Sequence, residues 1–348
     1  MHWLKLALLT LLVSGCGSED RGKAYVSSQE GFVTVIDLNS MEVIDQMTDK
    51  GFPRGIGVTE DGKYIVTANK DNASIELINI RSKQVEKEIG VGINPEFVRI
   101  KKGLVFVSTE PSSTGKPPSK EVEGHEEDND DNEEKIPAKV AVVDLLKAEK
   151  VREITAGPET EGIEFSKDGN QVIVTNEADN SITVHDFDTG KLLKTFSTEP
   201  YGLRPRGIKL SPNGEIYVAT LEFSDNFIVL DKNLNYIQTV KTGKAPYGVS
   251  FNTAGDKIFV AAGKSRTLEV FDTKDFSKIK DIPTEGKRCW HFSFTPDDKD
   301  ILLTCGRSDE IVVINAASLE VTKRIPVNGI PWGIVTNPRS MGSLDQPE

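Results

Sequence analysis

Apolar and polar residues alternate in short runs along most of the chain. Between positions 168 and 213, four runs of four to six residues are separated by turns that contain Gly, Asp or Asn. Alternation with a period of two, bounded by turn formers, is typical of antiparallel strands, so this stretch predicts a four-stranded sheet. A single sheet cannot bury both of its faces, and the pattern therefore requires neighbouring sheets.

The second strand of this unit recurs along the chain. Six intervals separate the copies, five of 40 to 44 residues and one of 67. The copies begin at Tyr25, Ile65, Phe106, Ile173, Tyr217, Phe259 and Leu302. Seven copies of a four-stranded unit of this length predict an all-β, seven-bladed β-propeller with antiparallel blades. Because the chain starts at a second strand and ends on a first strand near Pro331, we expect its N- and C-terminal strands to pair and close the ring.

One domain accounts for all the repeats. A chain of 348 residues would ordinarily suggest two or three domains, but the repeats favour a single propeller over residues 23–338. Residues 339–348 are expected to form a flexible tail.

The N-terminus predicts export and lipidation. Lys5 precedes a short apolar run, and Val13-Ser14-Gly15-Cys16 resembles the bacterial lipobox. We therefore expect residues 1–15 to be a lipoprotein signal peptide, Cys16 to be lipidated and residues 16–22 to form a tether. The propeller would then be anchored to a membrane by lipid, in the periplasm or at the cell surface, and Gly17-Ser18 after the cysteine favours the outer membrane.

The third copy carries an acidic insertion at about residues 111–138. Nine carboxylates lie between Glu121 and Glu134, with few apolar residues, and such a composition predicts disorder. A calcium loop starting at Asp128 would need Gly at its sixth position and Glu at its twelfth, where Glu133 and Lys139 stand. No metal site is therefore expected. The net charge of −12 also argues against a nucleic-acid partner, because phosphate binding needs clustered Lys and Arg.

Two cysteines lie in the last complete copy. Folding the hairpin about Pro296 places Cys289 and Cys305 opposite each other to within one residue. In an oxidising compartment they could form a disulfide, and a pair of buried thiols is the alternative.

The entry into each innermost strand predicts the functional face. Each entry is a tripeptide similar to Pro-x-Gly, and its middle residue should line one mouth of the central channel. These residues are Arg54, Glu96, Glu161, Arg206, Tyr247, Trp290 and Trp332. Arginine and tryptophan suit a small anionic ligand or a partner's loop, but the two arginines and two glutamates could also simply pair with each other. The loop residues of the same face are interpreted as turn formers; they are Asn69, Asp71, Glu177, Asp179, Glu222 and Asp225.

Catalytic chemistry is sparse in this sequence. His185 stands where the other copies have an apolar residue, so we interpret it as a core histidine. His291 near the mouth could form a general acid–base pair with Glu161 or Glu96. These are the only catalytic candidates, and no metal cluster, phosphate loop or Ser-His-Asp order specifies a reaction.

The repeats resemble a known family. Val174-Thr175-Asn176, followed by Val184-His185-Asp186, is similar to the YVTN-type repeat of β-propellers. The entries Pro53-Arg54-Gly55 and Pro205-Arg206-Gly207 resemble those of periplasmic propellers associated with alcohol catabolism that depends on pyrroloquinoline quinone (PQQ). This resemblance implies a binding or scaffold module that serves a redox system, with PQQ as the implied cofactor and a periplasmic redox protein as the implied partner. A lactonase-like hydrolase and a purely structural surface lipoprotein are the alternatives.

Overall fold

The computed structural model describes residues 20–112 and 135–347. The predicted signal peptide, Cys16 and most of the acidic insertion, including His125 and Asp128, lie outside the described residues. Within them, 28 strands form seven sheets of four antiparallel strands each, which confirms the predicted seven-bladed propeller.

The strands are short, with six or seven residues each. In chain order they are β1 Lys23–Ser28, β2 Phe32–Asp37, β3 Glu42–Thr48, β4 Pro53–Val58, β5 Tyr64–Asn69, β6 Ser74–Asn79, β7 Val85–Gly90, β8 Pro95–Lys101, β9 Leu104–Thr109, β10 Lys139–Asp144, β11 Glu149–Thr155, β12 Thr160–Phe165, β13 Gln171–Asn176, β14 Ser181–Asp186, β15 Leu192–Ser197, β16 Pro205–Leu210, β17 Ile216–Leu221, β18 Asn226–Asp231, β19 Tyr236–Lys241, β20 Pro246–Phe251, β21 Lys257–Ala262, β22 Thr267–Asp272, β23 Lys278–Pro283, β24 Cys289–Phe294, β25 Asp300–Cys305, β26 Glu310–Asn315, β27 Glu320–Pro326 and β28 Pro331–Asn337. Single 3-10 turns at Glu222–Ser224 and Gly306–Ser308 follow β17 and β25.

The two ends of the chain close the ring as predicted. The first sheet has the order β28-β1-β2-β3, so the last strand is the innermost strand of the N-terminal blade. Lys23 lies opposite Asn337 and Tyr25 opposite Val335. Strand pairing rather than a loop therefore holds the first and last blades together.

The innermost strands surround a central channel. Each contacts the innermost strand of the next blade, from β4 and β8 around to β28 and back to β4. All six positions of β4, β12 and β20 are buried, whereas the outermost strand β3 buries only Met47. The apolar core thus lies between the blades, and each outermost strand forms the solvent-exposed rim.

Glycine at the third position of the entry tripeptides allows the innermost strands to approach closely. A Cβ atom on Gly55 would lie 2.1 Å from the carbonyl oxygen of Glu96, and one on Gly248 would lie 2.4 Å from that of Trp290. Both separations are far below van der Waals contact, so a larger residue would force the neighbouring strands apart.

The structure departs from the expected flexible tail after Pro338. Residues 339–347, here called the C-terminal segment, turn back into the channel and run beside the inner edge of β24. Phe294 N–H donates to the carbonyl oxygen of Met341 at 2.8 Å, and Ser343 N–H donates to that of Phe292 at 2.9 Å. The innermost strand of a blade has an unpaired edge, and the segment satisfies part of that edge for β24. Leu344 is 1% exposed.

Cys289 and Cys305 lie directly opposite each other on β24 and β25, and a disulfide joins them. In the described part of the chain, no helix is long and apolar enough to span a membrane.

Candidate functional site

A shift in strand register recurs in every blade and turns the seven predicted entry residues into the channel. These seven residues, Arg54, Glu96, Glu161, Arg206, Tyr247, Trp290 and Trp332, are here called the ring. In the six blades after the first, the register between the two innermost strands shifts just after the first residue of the inner strand, for example between Pro53 and Ile56 in β4. The N-terminal blade has the same shift at Pro331 of β28. A bulge of this kind re-aims the side chains within it. The middle residue of each tripeptide lies in this bulge, which explains why all seven gather at one end of the channel.

The ring residues are more deeply buried than an open mouth would suggest. Six of the seven residues are at most 9% exposed, and the side chain of Arg206 is 13% exposed. Trp290 and Trp332 are 6% and 3% exposed and pack into the apolar core with Leu344. The charged members and their partners, described next, are here called the mouth site.

Arg54 binds two carboxylates. Its guanidinium pairs with Glu96 and lies 3.6 Å from Glu110. The Glu110 carboxylate also accepts a hydrogen bond from the side-chain amide of Asn94 at 3.1 Å. Glu110 follows β9 directly, so it comes from the loop of the blade that presents Glu96.

Arg206 binds three carboxylates. Its guanidinium pairs with Glu161, lies 2.5 Å from Glu177 and 2.6 Å from Glu222, and stacks over the ring of Tyr247. The Tyr247 hydroxyl donates to Glu161 at 3.4 Å. Pairing between arginine and glutamate, which the sequence left open, is therefore present, but each arginine also contacts carboxylates from outside the ring.

Glu177 and Glu222 lie in turns, as interpreted from the sequence: Asn180 N–H donates to the carbonyl oxygen of Glu177, and Glu222 begins a 3-10 turn. Their side chains, however, have a further role. They are 1% and 5% exposed, and both pair with Arg206. Together with Glu110 they form a second tier, because each is the first residue after the second strand of its blade. Arg204 joins this tier by pairing with Glu177, and its guanidinium lies 3.7 Å from Glu159. The repeat alignment contained this signal, since Glu110, Glu177 and Glu222 share one register position.

Neither described histidine contacts a ring carboxylate. Nδ1 of His291 lies 3.0 Å from the hydroxyl of Ser343, and its ring packs on Trp332 at 4.3 Å. Within residues 20–112 and 135–347, no hydrogen bond or ion pair joins His291 to Glu96 or Glu161, so the predicted acid–base pair does not form. Burial lowers the pKa of His291 to about 3. His185 is buried at 1% exposure, and its Nδ1 lies 3.3 Å from the carbonyl oxygen of Gly190.

The carboxylates of the mouth site have different pKa values. Burial raises the pKa of Glu161 to about 7, although Arg206 acts in the opposite direction. Burial and the adjacent Glu96 raise the pKa of Glu110 well above its usual range. Burial opposes ionisation of Glu96 as well, but Arg54 and a hydrogen bond from Glu110 keep its pKa below the usual value. The site therefore favours the protonated form of Glu110 and the ionised form of Glu96, and Glu161 titrates near neutral pH.

The same three carboxylates could also hold a cation. One oxygen each from Glu96, Glu110 and Glu161 lies within 4.8 Å of the others, and carboxylate oxygens suit Ca²⁺ or Mg²⁺. Arg54 and Arg206 already supply positive charge there, so the donor set does not require a metal.

The fold and site define a seven-bladed β-propeller with a buried Arg–Glu network at one end of its channel. A family model described as "Lactonase, 7-bladed beta-propeller" matches residues 137–233. Dihydro-heme d1 dehydrogenase of Pseudomonas aeruginosa is 24% identical over 343 residues, which cover 89% of this chain and 62% of that protein. The chain thus spans less than two thirds of that relative.

Solved structures share the architecture. A periplasmic gluconolactonase from Pseudomonas aeruginosa superposes with a TM-score of 0.72 at 15% identity, over 90% of this chain and 98% of that one. A protein provisionally assigned as a 6-phosphogluconolactonase, from Bacteroides uniformis, gives a TM-score of 0.73 at 17% identity, over 91% and 100% of the two chains. These likenesses show the fold. The YVTN repeat family, PQQ and the lipid anchor stay predictions.

Proposed function

We propose that this chain is a periplasmic hydrolase that opens a small anionic lactone at the mouth site, with Glu161 as the general base. The observation that carries the proposal is the state of Glu161, a buried carboxyl with a pKa of about 7 beside Arg206. A general base is most effective when its pKa lies near the working pH. The lactonase model that matches residues 137–233 and the periplasmic gluconolactonase of the same fold support this substrate class.

The two arginines are the groups that a substrate would meet first. The side chains of Arg54 and Arg206 are 11% and 13% exposed, whereas those of Glu96 and Glu161 are 3% and 4% exposed. An arginine fork binds a carboxylate or phosphate and stabilises the negative charge that develops on a lactone carbonyl oxygen. The arginines therefore hold the substrate over the carboxylates.

The carboxylates then supply the proton transfers. Glu161 takes a proton from a water molecule, and the water oxygen attacks the lactone carbonyl carbon. The ring C–O bond breaks, and the leaving alkoxide oxygen takes a proton from Glu110, whose raised pKa favours the protonated form. The product is a hydroxy acid, and transfer of the proton from Glu161 to Glu110 restores the starting state.

A binding accessory of a redox system is the second candidate function. The match over 89% of the chain to a dihydro-heme d1 dehydrogenase favours it. A flat cofactor such as PQQ would need a stacking surface, and both Trp290 and Trp332 are buried. A haem would need an axial ligand, and the described histidines, His185 and His291, are 1% and 2% exposed. The residues present at the mouth thus fit neither group well, which favours the hydrolase.

The test is an assay of glucono-δ-lactone and 6-phosphogluconolactone hydrolysis, in which the release of protons into a weakly buffered solution measures the rate. The wild-type chain should open at least one of them, and kcat/KM should rise as the pH increases through about 7, when Glu161 loses its proton. Glu161→Gln keeps the shape of the side chain and should lower kcat about 100-fold or more. Glu215→Gln changes a carboxyl that is 60% exposed in the β16–β17 turn, and it should leave the rate unchanged.

The thermal unfolding midpoint of each variant separates loss of catalysis from loss of fold. Full activity in a folded Glu161→Gln variant would contradict the role of Glu161. If the wild type opens neither lactone but binds PQQ in a calorimetric titration, and Arg54→Ala/Arg206→Ala loses that binding, the second candidate replaces the first.

A further inference from the structure

A recess opens at the end of the channel away from the mouth site. Its volume is about 620 Å³, within the range of cavities that enclose small organic ligands. Its walls come from the innermost strands β8, β12 and β16, from the turns that follow innermost strands, and from the C-terminal segment. We call this recess the lower cavity.

Basic residues outnumber acidic ones in the lower cavity. Its basic residues are Arg99, Lys101, Lys167 and Arg339, and its acidic residues are Glu164 and Asp298. The chain as a whole carries a net charge of −12, so this local positive excess runs against the composition. A positive cavity in an acidic protein attracts anions from solution and excludes cations.

The positive charge is built into the channel wall. Arg99, Glu164 and Lys209 occupy the same register position on three adjacent innermost strands, and none is more than 4% exposed. Arg99 donates to Glu164 at 3.0 Å, and Lys209 Nζ lies 3.7 Å from the other oxygen of that carboxylate. One carboxylate therefore lies between a buried arginine and a buried lysine.

Some polar atoms of Arg99, Glu164 and Lys209 have no hydrogen-bond partner. Nε of Arg99, Nζ of Lys209 and Oε2 of Glu164 are buried and have no hydrogen-bond partner, and both Arg99 and Glu164 line the cavity. Buried polar groups in native proteins are normally satisfied, and an exception needs an explanation such as a ligand. Asp345 at the channel end pairs instead with Arg339, at 2.5 and 2.7 Å.

Apolar side chains complete the walls. Phe165, Leu210 and Met341 line the same cavity, and Lys101 Nζ lies 5.3 Å from the centre of the Phe165 ring. A ligand that fits must therefore combine an anionic head with an apolar body.

We propose that the lower cavity binds a small organic anion, a phosphate monoester or carboxylate on an apolar or ring-shaped body, at a site separate from the mouth site. Arg99 and the rim lysines Lys101 and Lys167 attract the head, and Phe165 and Leu210 contact the body.

Calorimetric titration of the full chain with phenyl phosphate, benzoate and benzyl alcohol tests this assignment. The first two share an aromatic body with an anionic head, and the third is neutral. We expect saturable binding of at least one anion and none of the alcohol, with binding that weakens as salt is raised. Lys101→Gln/Lys167→Gln removes rim charge without touching the buried group, and it should weaken anion binding on the order of tenfold.

Two controls locate the effect. Lys264→Gln removes an exposed lysine from a loop at the mouth end, between β21 and β22, and it should leave the affinity unchanged. Glu161→Gln should also bind normally, which separates this site from lactone hydrolysis at the mouth. Absence of binding by both anions at millimolar concentration would overturn the inference, as would equal affinities in the wild type and the double lysine variant.

Discussion

The C-terminal segment is expected to contribute directly to the stability of the propeller. Leu344 is 1% exposed and packs with Tyr247, Trp290 and Trp332 in one core cluster. Replacing a fully buried leucine by alanine costs about 2–5 kcal/mol, because burial is lost and a cavity remains. Leu344→Ala should therefore lower the free energy of unfolding by about 3.5 kcal/mol, the middle of that range.

The chain offers a matched control for this change. Leu146 is 97% exposed, so Leu146→Ala makes the same chemical substitution with almost no burial to lose. Its effect on the free energy of unfolding should stay within about 0.5 kcal/mol. Urea unfolding followed by tryptophan fluorescence measures both variants, since Trp290 and Trp332 lie next to Leu344.

Carboxypeptidase digestion followed by mass spectrometry gives an independent measure. A docked segment should resist trimming beyond Leu344, whose backbone carbonyl accepts a hydrogen bond from Arg99 at 3.4 Å. Equal stabilities for the two leucine variants, together with rapid removal of residues 339–347, would refute the docked arrangement. The original expectation of a flexible tail would then be right.

Two further predictions concern the ring of blades and its buried charge. Cys289→Ser/Cys305→Ser should lower the free energy of unfolding by about 3 kcal/mol, because the disulfide closes a loop with a sequence separation of 16. An unchanged urea midpoint for this variant, and for the wild type in reductant, would show that the disulfide does not stabilise the fold. Burial lowers the pKa of Lys209 to about 7 from a value near 10.5 in the unfolded chain. Between those values the unfolded state binds more protons, so this lysine makes stability increase as the pH rises from 7 to 10. Lys209→Met should remove that contribution and raise the urea midpoint at pH 7 relative to wild type, whereas a pH dependence identical to that of wild type would contradict the burial of Lys209.

The repeats predicted the fold because each copy carries its own strand and turn pattern, and seven copies admit few architectures. The pairing of β28 with β1 was predicted because the chain starts at the second strand of a repeat and ends on the first strand of one. The ring from Arg54 to Trp332 was also found, because the entry tripeptide is local in sequence. What each ring residue contacts depends on distances between blades, and no pattern within one blade specifies those distances.

The second tier of the mouth site shows this limit. Glu177 and Glu222 follow strands and precede turns, and that local context is equally typical of turn formers. Glu222 belongs to the same blade as Arg206, but Glu177 belongs to the preceding blade, and its pairing with Arg206 became visible only when the two blades were brought together. The C-terminal segment was missed for a related reason. Its sequence is polar apart from Met341 and Leu344, and the unpaired edge of β24 that it satisfies leaves no mark in the sequence.

The C-terminal segment also determines how the two ends of the channel relate. The side chain of Leu344 packs beneath the aromatic half of the ring, while its carbonyl oxygen accepts a hydrogen bond from Arg99 in the wall of the lower cavity. Leu344 thus contacts both the aromatic residues of the ring and the wall of the lower cavity. Each end has its own buried ion pairs, around Arg206 above and around Glu164 below. Effects of substitutions add when the sites share no partner, so changes confined to one end should leave the other unaffected. Only changes in the segment itself, such as Leu344→Ala, reach both ends, which makes that variant a measure of whether the compartments are independent.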